Sequence, residues 1–311
     1  METYKSIRQD GIGHKGPERK NMKTVKTIYL IVIISITVFV VGFFGARKIR
    51  AFSGLFSDAD IVKDSVTVEP FKEVKLVADV ANFTIVEGDD YHVDYEYPDS
   101  MALKGKVENE VLKIELKGKK NQGFGFLKFD KNGIKSAEPK ITVYVPEGTE
   151  LSKADLTISA GNVNLSDKIF DSLKADCDAG NINLNKITAN KVEIEADAGN
   201  IEINHSVLGD CEYHTSAGRI AIDNTVMNKV EAETSMGEID LDNITFANGE
   251  VNSDMGAITI DGSFDELKSH TSMGRISIDN EKLDTAKMDL SVDMGEVVVN
   301  GNGKGSSFKQ D

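Results

Sequence analysis

A glycine returns about every 19 residues through the C-terminal half of this 311-residue chain. From Leu156 onward one unit recurs as ISAGNVNL, CDAGNINL, ADAGNIEI, TSAGRIAI, TSMGEIDL, SDMGAITI, TSMGRISI and VDMGEVVV. Its glycines are Gly161, Gly180, Gly199, Gly218, Gly237, Gly256, Gly274 and Gly295, at spacings of 19, 19, 19, 19, 19, 18 and 21. A unit this short cannot bury an apolar face alone. It can do so by stacking on its neighbours, so the repeat specifies a solenoid.

The columns of the repeat say what kind of solenoid. Two residues after each glycine stands Val163, Ile182, Ile201, Ile220, Ile239, Ile258, Ile276 or Val297. Four after it stands Leu165, Leu184, Ile203, Ile222, Leu241, Ile260, Ile278 or Val299. Aliphatic residues at period two are the pattern of a strand with one buried face. Counting from the glycine, the inward positions are expected at −5, −3, −1, +2 and +4. The parity breaks at the glycine, which accepts unusual backbone angles, so the glycine is read as a corner. A second turn is expected at +5 and +6, where Ser, Asn, Asp, Gly, Lys or His stand. No helical segment separates the strands and no six-residue sub-period is present. The expected fold is all-β: a single-stranded, right-handed parallel β-helix of about 19 residues per coil.

The stretch 65–155 is strand-rich but irregular. Val74 to Gly88 looks like a worn copy of the unit, with Ala81 in the glycine's place. VLKIELKG (Val111 to Gly118) and KITVYVPEG (Lys140 to Gly148) alternate cleanly, and Lys119 to Glu138 reads as a polar loop. This half is expected to be the atypical end of the same domain.

Thr27 to Ala46 form 20 residues without a charge. A helix of that length spans about 30 Å, the thickness of a bilayer core. The run is too long for the apolar core of a cleaved signal peptide, and Phe44 occupies a cleavage-site position that prefers a small residue. An uncleaved anchor is expected, with the lipid bilayer as its partner. Lys5, Arg8, Lys15, Arg19, Lys20, Lys23 and Lys26 precede it; Arg47, Lys48 and Arg50 follow. That asymmetry places the N-terminus in the cytoplasm and the body outside the membrane. The expected organisation is a basic tail (1–26), a transmembrane helix (27–46), a linker (47–64), the solenoid (65–300, with 156–300 as its eight regular coils) and a C-terminal tail (301–311). Residues 1–50 hold ten Lys/Arg and three Asp/Glu, +7, so the remaining residues carry −22 of the total −15. A body this acidic is repelled by phosphate backbones, which excludes nucleic acid as a partner.

KITVYVPEG followed by the tandem SAGNVNL, DAGNINL and DAGNIEI units resembles a bacterial "putative adhesin" family of β-strand-repeat domains of unknown function. With the anchor added, the chain is similar to the LiaG-like membrane proteins of Gram-positive bacteria. The resemblance covers roughly residues 65–300. It implies an envelope-associated role linked to envelope stress. The later coils depart from the AGN unit, carrying Met-Gly-Glu, Met-Gly-Ala or Met-Gly-Arg.

Candidate chemistry is sparse. The −2 column holds only Ser or Asp: Ser159, Asp178, Asp197, Ser216, Ser235, Asp254, Ser272 and Asp293. Short oxygen-bearing side chains beside a turn accept backbone N–H groups, so turn-capping is preferred to cation binding. Asn162, Asn181 and Asn200 form a ladder that stabilises stacked coils. Together with Asp178 and Asp197 they make the candidate ligand face, with a cell-wall polymer or an envelope protein as ligand. Met236, Met255, Met273 and Met294 replace alanine at −1 and are expected as core filler. Cys177 and Cys211 lie two coils apart, beyond disulfide reach. His214 and His270 share a column but are three coils apart. No metal or cofactor is expected. No nucleophile–base set or phosphate loop is legible. The leading expectation is a non-enzymatic, membrane-anchored binding module. Its rivals are a signalling component that passes the state of the envelope inward, and a polysaccharide-active β-helix enzyme.

Overall fold

The structure is a computed structural model that describes residues 61–119, 127–130, 133–136 and 138–300, with 127–130 and 133–136 as backbone. The anchor expected at 27–46 lies outside the described residues, as do the tails. Among the described residues no helix is long and apolar enough to cross a membrane.

The strands are β1 (Ile61–Thr67), β2 (Glu73–Val80), β3 (Asn82–Gly88), β4 (His92–Pro98), β5 (Met101–Glu108) and β6 (Val111–Gly118). A short hairpin follows, β7 (Leu127–Asp130) with β8 (Gly133–Ser136). Next come β9 (Lys140–Pro146), β10 (Glu150–Ala160), β11 (Val163–Ala179), β12 (Ile182–Ala198) and β13 (Ile201–Asn204). The chain ends in β14 (Val207–Ala217), β15 (Ile220–Asp223), β16 (Lys229–Met236), β17 (Ile239–Asn280) and β18 (Lys287–Asn300). From β10 onward every pairing is parallel and in register with the repeat. Val163 pairs with Ile182, Ile182 with Ile201, Ile201 with Ile220 and Ile220 with Ile239. A β-solenoid of about 19 residues per coil is therefore the fold.

Each coil turns more often than expected. In the coil of Gly161 the inward residues are Val163, Leu165, Lys168, Phe170, Leu173, Ala175 and Cys177. Inward parity breaks at +5/+6 and again at +10/+11, as well as at the glycine, so the coil has three arms. The expected turn at +6 is present. Asp167, Lys186, His205, Asn224 and Asn243 stand there on successive coils, with φ of 53°, 53°, 52°, 48° and 49°. Left-handed backbone is costly for most side chains, and Asn and Asp bear it best. The turn at +10/+11 holds Asp171, Asn190, Gly209 and Asn228 at +10, a column of turn residues that the reading of the repeat passed over.

One expected inward column is not inward. Ala179, Ala198 and Ala217 at −1 are exposed, and so are the four methionines that follow them. The stripe of Met236, Met255, Met273 and Met294 is thus surface and not core filler. The chain is already bending into the corner at −1, so alternation from −3 no longer holds. The core is filled instead by the arms, with Phe246 and Phe264 stacked at a centroid distance of 4.9 Å.

The N-terminal half is the solenoid's capped end, and its order in space differs from its order in sequence. Ala81 lies over Gly161, as Phe83 pairs with Val163 and Leu76 with Leu156. On the other side of this coil lie β6 and β9, parallel to β2 and β3. They form the two sides of a further coil whose corner is opened to admit the chain between Lys119 and Lys140. β5 and β4 then close that coil antiparallel, and β1 pairs antiparallel with β4. The loop expected from Lys119 to Glu138 carries the β7–β8 hairpin at this opening.

Candidate binding face

The corner between the long arm before each glycine and the short arm after it carries the glycines, the asparagines, the Ser/Asp column and the methionines singled out from the sequence. The glycines stack directly. A Cβ on Gly180 would lie 1.6 Å from the carbonyl oxygen of Gly161, and one on Gly199 would lie 1.6 Å from that of Gly180. The same collision, at 1.7–1.9 Å, recurs from Gly218 to Gly295. Contact between coils, more than backbone angle, demands glycine here. Gly161 adds an angle reason as well, with φ of 131°.

The asparagine ladder is present. Asn162 donates its side-chain N–H to Asn82 Oδ1 at 2.7 Å. Asn162 Oδ1 accepts the backbone N–H of Asn181, Asn181 Oδ1 that of Asn200, and Asn200 Oδ1 that of Arg219, each at 3.0 Å. These amide oxygens satisfy the corner's own backbone.

At Asp178 and Asp197 the −2 column does not cap the turn. Asp178 and Asp197 are exposed, and Asp197 Oδ1 accepts a hydrogen bond from Ser216 Oγ at 3.2 Å. The capping falls to the buried −3 column. There Thr215, Thr234, Ser253 and Thr271 donate to the carbonyls of Gly199, Gly218, Gly237 and Gly256 at 3.2–3.5 Å. Cys177 makes the weaker thiol version to Gly161 O at 3.4 Å. A hydroxyl two residues from the glycine in the wrong parity points outward, and one three residues away points in. That offset was readable in the sequence but not distinguishable from its neighbour without the corner's geometry.

Asp178 and Asp197 do not stand alone. Asp176 pairs across the coils with Glu195, giving a two-by-two array of outward carboxylates. Burial pushes the Asp176 carboxyl up, and repulsion from Glu195, Asp178 and Asp197 adds to it. Alongside, Glu193 behaves oppositely: hydrogen bonds from Lys191 and Lys174 hold its carboxyl down at about 2. Asp176, Glu195, Glu193 and Lys174 rim a shallow depression of about 90 Å³ shared with Glu212 and His214. Asp176 and Glu195 belong to the −4 column, an acidic signal passed over beside the more regular −2 column.

A larger open depression of about 520 Å³ lies nearer the C-terminal end, between Lys229, Glu250, Glu266, Lys268 and Lys287. Its charges are largely matched, by Lys229 with Glu231 and Lys287 with Glu266. Among the described residues no group of three or more His, Cys, Asp or Glu side chains is arranged to hold a metal ion. Cys177 and Cys211 are free and buried. His92 stacks on Tyr144 at 4.0 Å and contacts Asp90 at 2.6 Å. His214 lies 3.7 Å from Glu233, and His270 contacts Ser291 at 2.8 Å.

The family model described as Toastrack DUF4097 matches residues 71–304. Among solved structures, the chain is similar to a "putative adhesin" from Parabacteroides distasonis ATCC 8503, with 18% identity over 79% of this chain and 96% of that one and a TM-score of 0.51. A second "putative adhesin", from Parabacteroides merdae ATCC 43184, is 15% identical over 79% of this chain and 97% of its own, with a TM-score of 0.50. At such identities the likeness is one of fold. No curated protein matches the chain.

Proposed function

This chain belongs to the Toastrack DUF4097 family, and on that premise we propose that it is a non-enzymatic binding module, held at the outer side of the cell membrane by residues 27–46. The observation that carries the reading is the carboxylate array of Asp176, Asp178, Glu195 and Asp197, set on two adjacent coils of the stack. Burial raises the Asp176 carboxyl and repulsion from Glu195, Asp178 and Asp197 adds to it, so a positively charged partner laid across the array relieves the repulsive part. Polyanions such as nucleic acids and acidic sugars are repelled by the same face. The partner class is therefore an extended envelope component, polymer or protein, that carries positive charge. The structural neighbours named as adhesins are consistent with a binding role.

Two measurements test this. Protease treatment of intact cells digests residues 65–300 and spares the N-terminal tail; a protected body overturns the topology. Pull-down from envelope fractions with the full-length protein captures a partner that Asp176→Asn/Glu195→Gln/Asp197→Asn releases; unchanged capture removes the array from the binding face.

A second reading, a signalling component, rests on the concentration of Lys and Arg in the 26 residues before the apolar run. Deleting residues 1–26 then abolishes an envelope-stress response. An unchanged response sinks it.

A further inference from the structure

The methionine stripe stands outside the buried core. Alanine at Ala179, Ala198 and Ala217 serves the same corner in the earlier coils. Met236, Met255, Met273 and Met294 leave 49%, 36%, 42% and 62% of their surface to solvent. Met236 pairs with Met255 and Met273 with Met294. Gly256 stacks under Gly274, with a Cβ on the latter 1.9 Å from the former's oxygen, so Met255 and Met273 are neighbouring rungs too. The four thioethers therefore form one continuous exposed ladder.

We propose that this ladder is a binding site for a soft monovalent metal ion, Cu(I) or its analogue Ag(I), held between the sulfurs of adjacent rungs.

The spacing suits it. Parallel strands stack at about 4.8 Å. Two metal–sulfur bonds of about 2.3 Å, the length typical of zinc–thiolate bonds, span about 4.6 Å when in line. A thioether is a neutral, soft donor that selects Cu(I) over harder ions. The surroundings suit a cation as well. The ladder is flanked by Asp254 and Asp293 at −2 and by Glu238 and Glu296 at +1. Arg275, the cation among these flanking columns, is tied to Glu296. That acidic border attracts a metal cation and repels an anionic lipid surface, the other partner an exposed methionine stripe would suit. The buried thiols do not compete readily. Burial holds Cys177 up and pushes Cys211 to about 12, so both stay protonated at neutral pH. Binding involves no change of oxidation state, since the ion arrives and stays as Cu(I). The proposal concerns the last four rungs and stands apart from whatever the carboxylate array binds.

The test uses the full-length protein in detergent micelles, titrated with Ag(I), and with Cu(I) against a chromogenic Cu(I) chelator. Methyl-labelled methionine resonances report which side chains bind. The expected result is movement of the Met236, Met255, Met273 and Met294 methyl signals, with the other methionines of the nine in the chain unmoved. Replacing all four by leucine keeps size and apolarity, so circular dichroism is unchanged while Cu(I) affinity falls about tenfold or more. Cys177→Ser/Cys211→Ser keeps wild-type affinity. Ala198→Met/Ala217→Met lengthens the ladder and raises the amount of Ag(I) bound. Unmoved methyl signals, full affinity in the leucine variant, or affinity lost in the cysteine variant overturns the proposal.

Discussion

At the residue scale the corner column shows why glycine recurs. A Cβ on Gly199 would meet a backbone oxygen of the neighbouring coil at 1.6 Å, and backbone on both sides is locked in the ladder. Gly199→Ala is expected to cost more than about 3 kcal/mol, because neither strand can move aside without breaking register. Gly105→Ala is the control. A Cβ there has nothing within 4 Å, so denaturant unfolding should show a change within about 0.5 kcal/mol. Tyr213 makes the opposite point. Its ring is buried in the core, and its hydroxyl has only the Cys211 thiol beside it, outside ordinary hydrogen-bond geometry. Tyr213→Phe removes a desolvated group that gains nothing, so urea unfolding should find the variant more stable by about 1 kcal/mol.

At the scale of the element, the coil is held by ladders that run along the stack. Asn181 links the Asn162 and Asn200 rungs through backbone N–H bonds. Asn181→Ala strands the N–H of Asn200 in a half-buried corner, at an expected cost of about 1 kcal/mol in chemical denaturation. The carboxylates beside the corner give the arm two opposing responses to pH. Glu193 is held down at about 2, below its ordinary value. Its lysine contacts therefore stabilise the fold fully above the unfolded-state pKa and are lost as pH falls through the range between that value and about 2. Asp176 is held up, so its ionised form weighs against the fold, and that cost is relieved as pH falls through its raised value. Asp176→Asn should raise the melting temperature at pH 7 and flatten the gain seen on mild acidification. An unchanged melting profile would deny that burial and repulsion hold this carboxyl up. Surface pairs such as Lys174 with Glu193 each contribute only about 0–1 kcal/mol, so the clamp matters as a group.

At the scale of the whole molecule, the coil order accounts for Ala81. Each glycine is required because the previous corner's carbonyl lies where a Cβ would go. The coil beyond Ala81 is the one formed by β6 and β9, whose corner is opened between Lys119 and Lys140. Ala81, fully buried, therefore has room for its methyl group. The registers Ala78 with Leu116 and Asn82 with Lys140 leave Gly118 and Lys119 opposite Val80 and Ala81. Excising residues 120–139 thus joins Lys119 to Lys140 in the register of an ordinary corner. It should give a cooperatively unfolding protein when combined with Ala81→Gly, and a less stable one without it, as measured by thermal melts of the pair. Equal stability of the two would refute this account of Ala81.

The periodic columns at +2 and +4 identified the solenoid and its coil length from sequence alone. Residues that repeat every coil meet only their own kind, so the pattern states the contact. The glycines, the asparagine ladder and the turn at +6 were legible for the same reason. The corner's two flanks were not. Alternation predicts which way a side chain points only while the strand stays straight, and at −1 and −2 the chain is already turning. The methionines consequently stand in solvent, and the capping falls to the −3 hydroxyls of Thr215, Thr234, Ser253 and Thr271 on the later coils. The antiparallel cap and the insertion of β2 and β3 between later strands were likewise decided by tertiary packing. They depend on which segments meet across the core, and no single period in the chain records that.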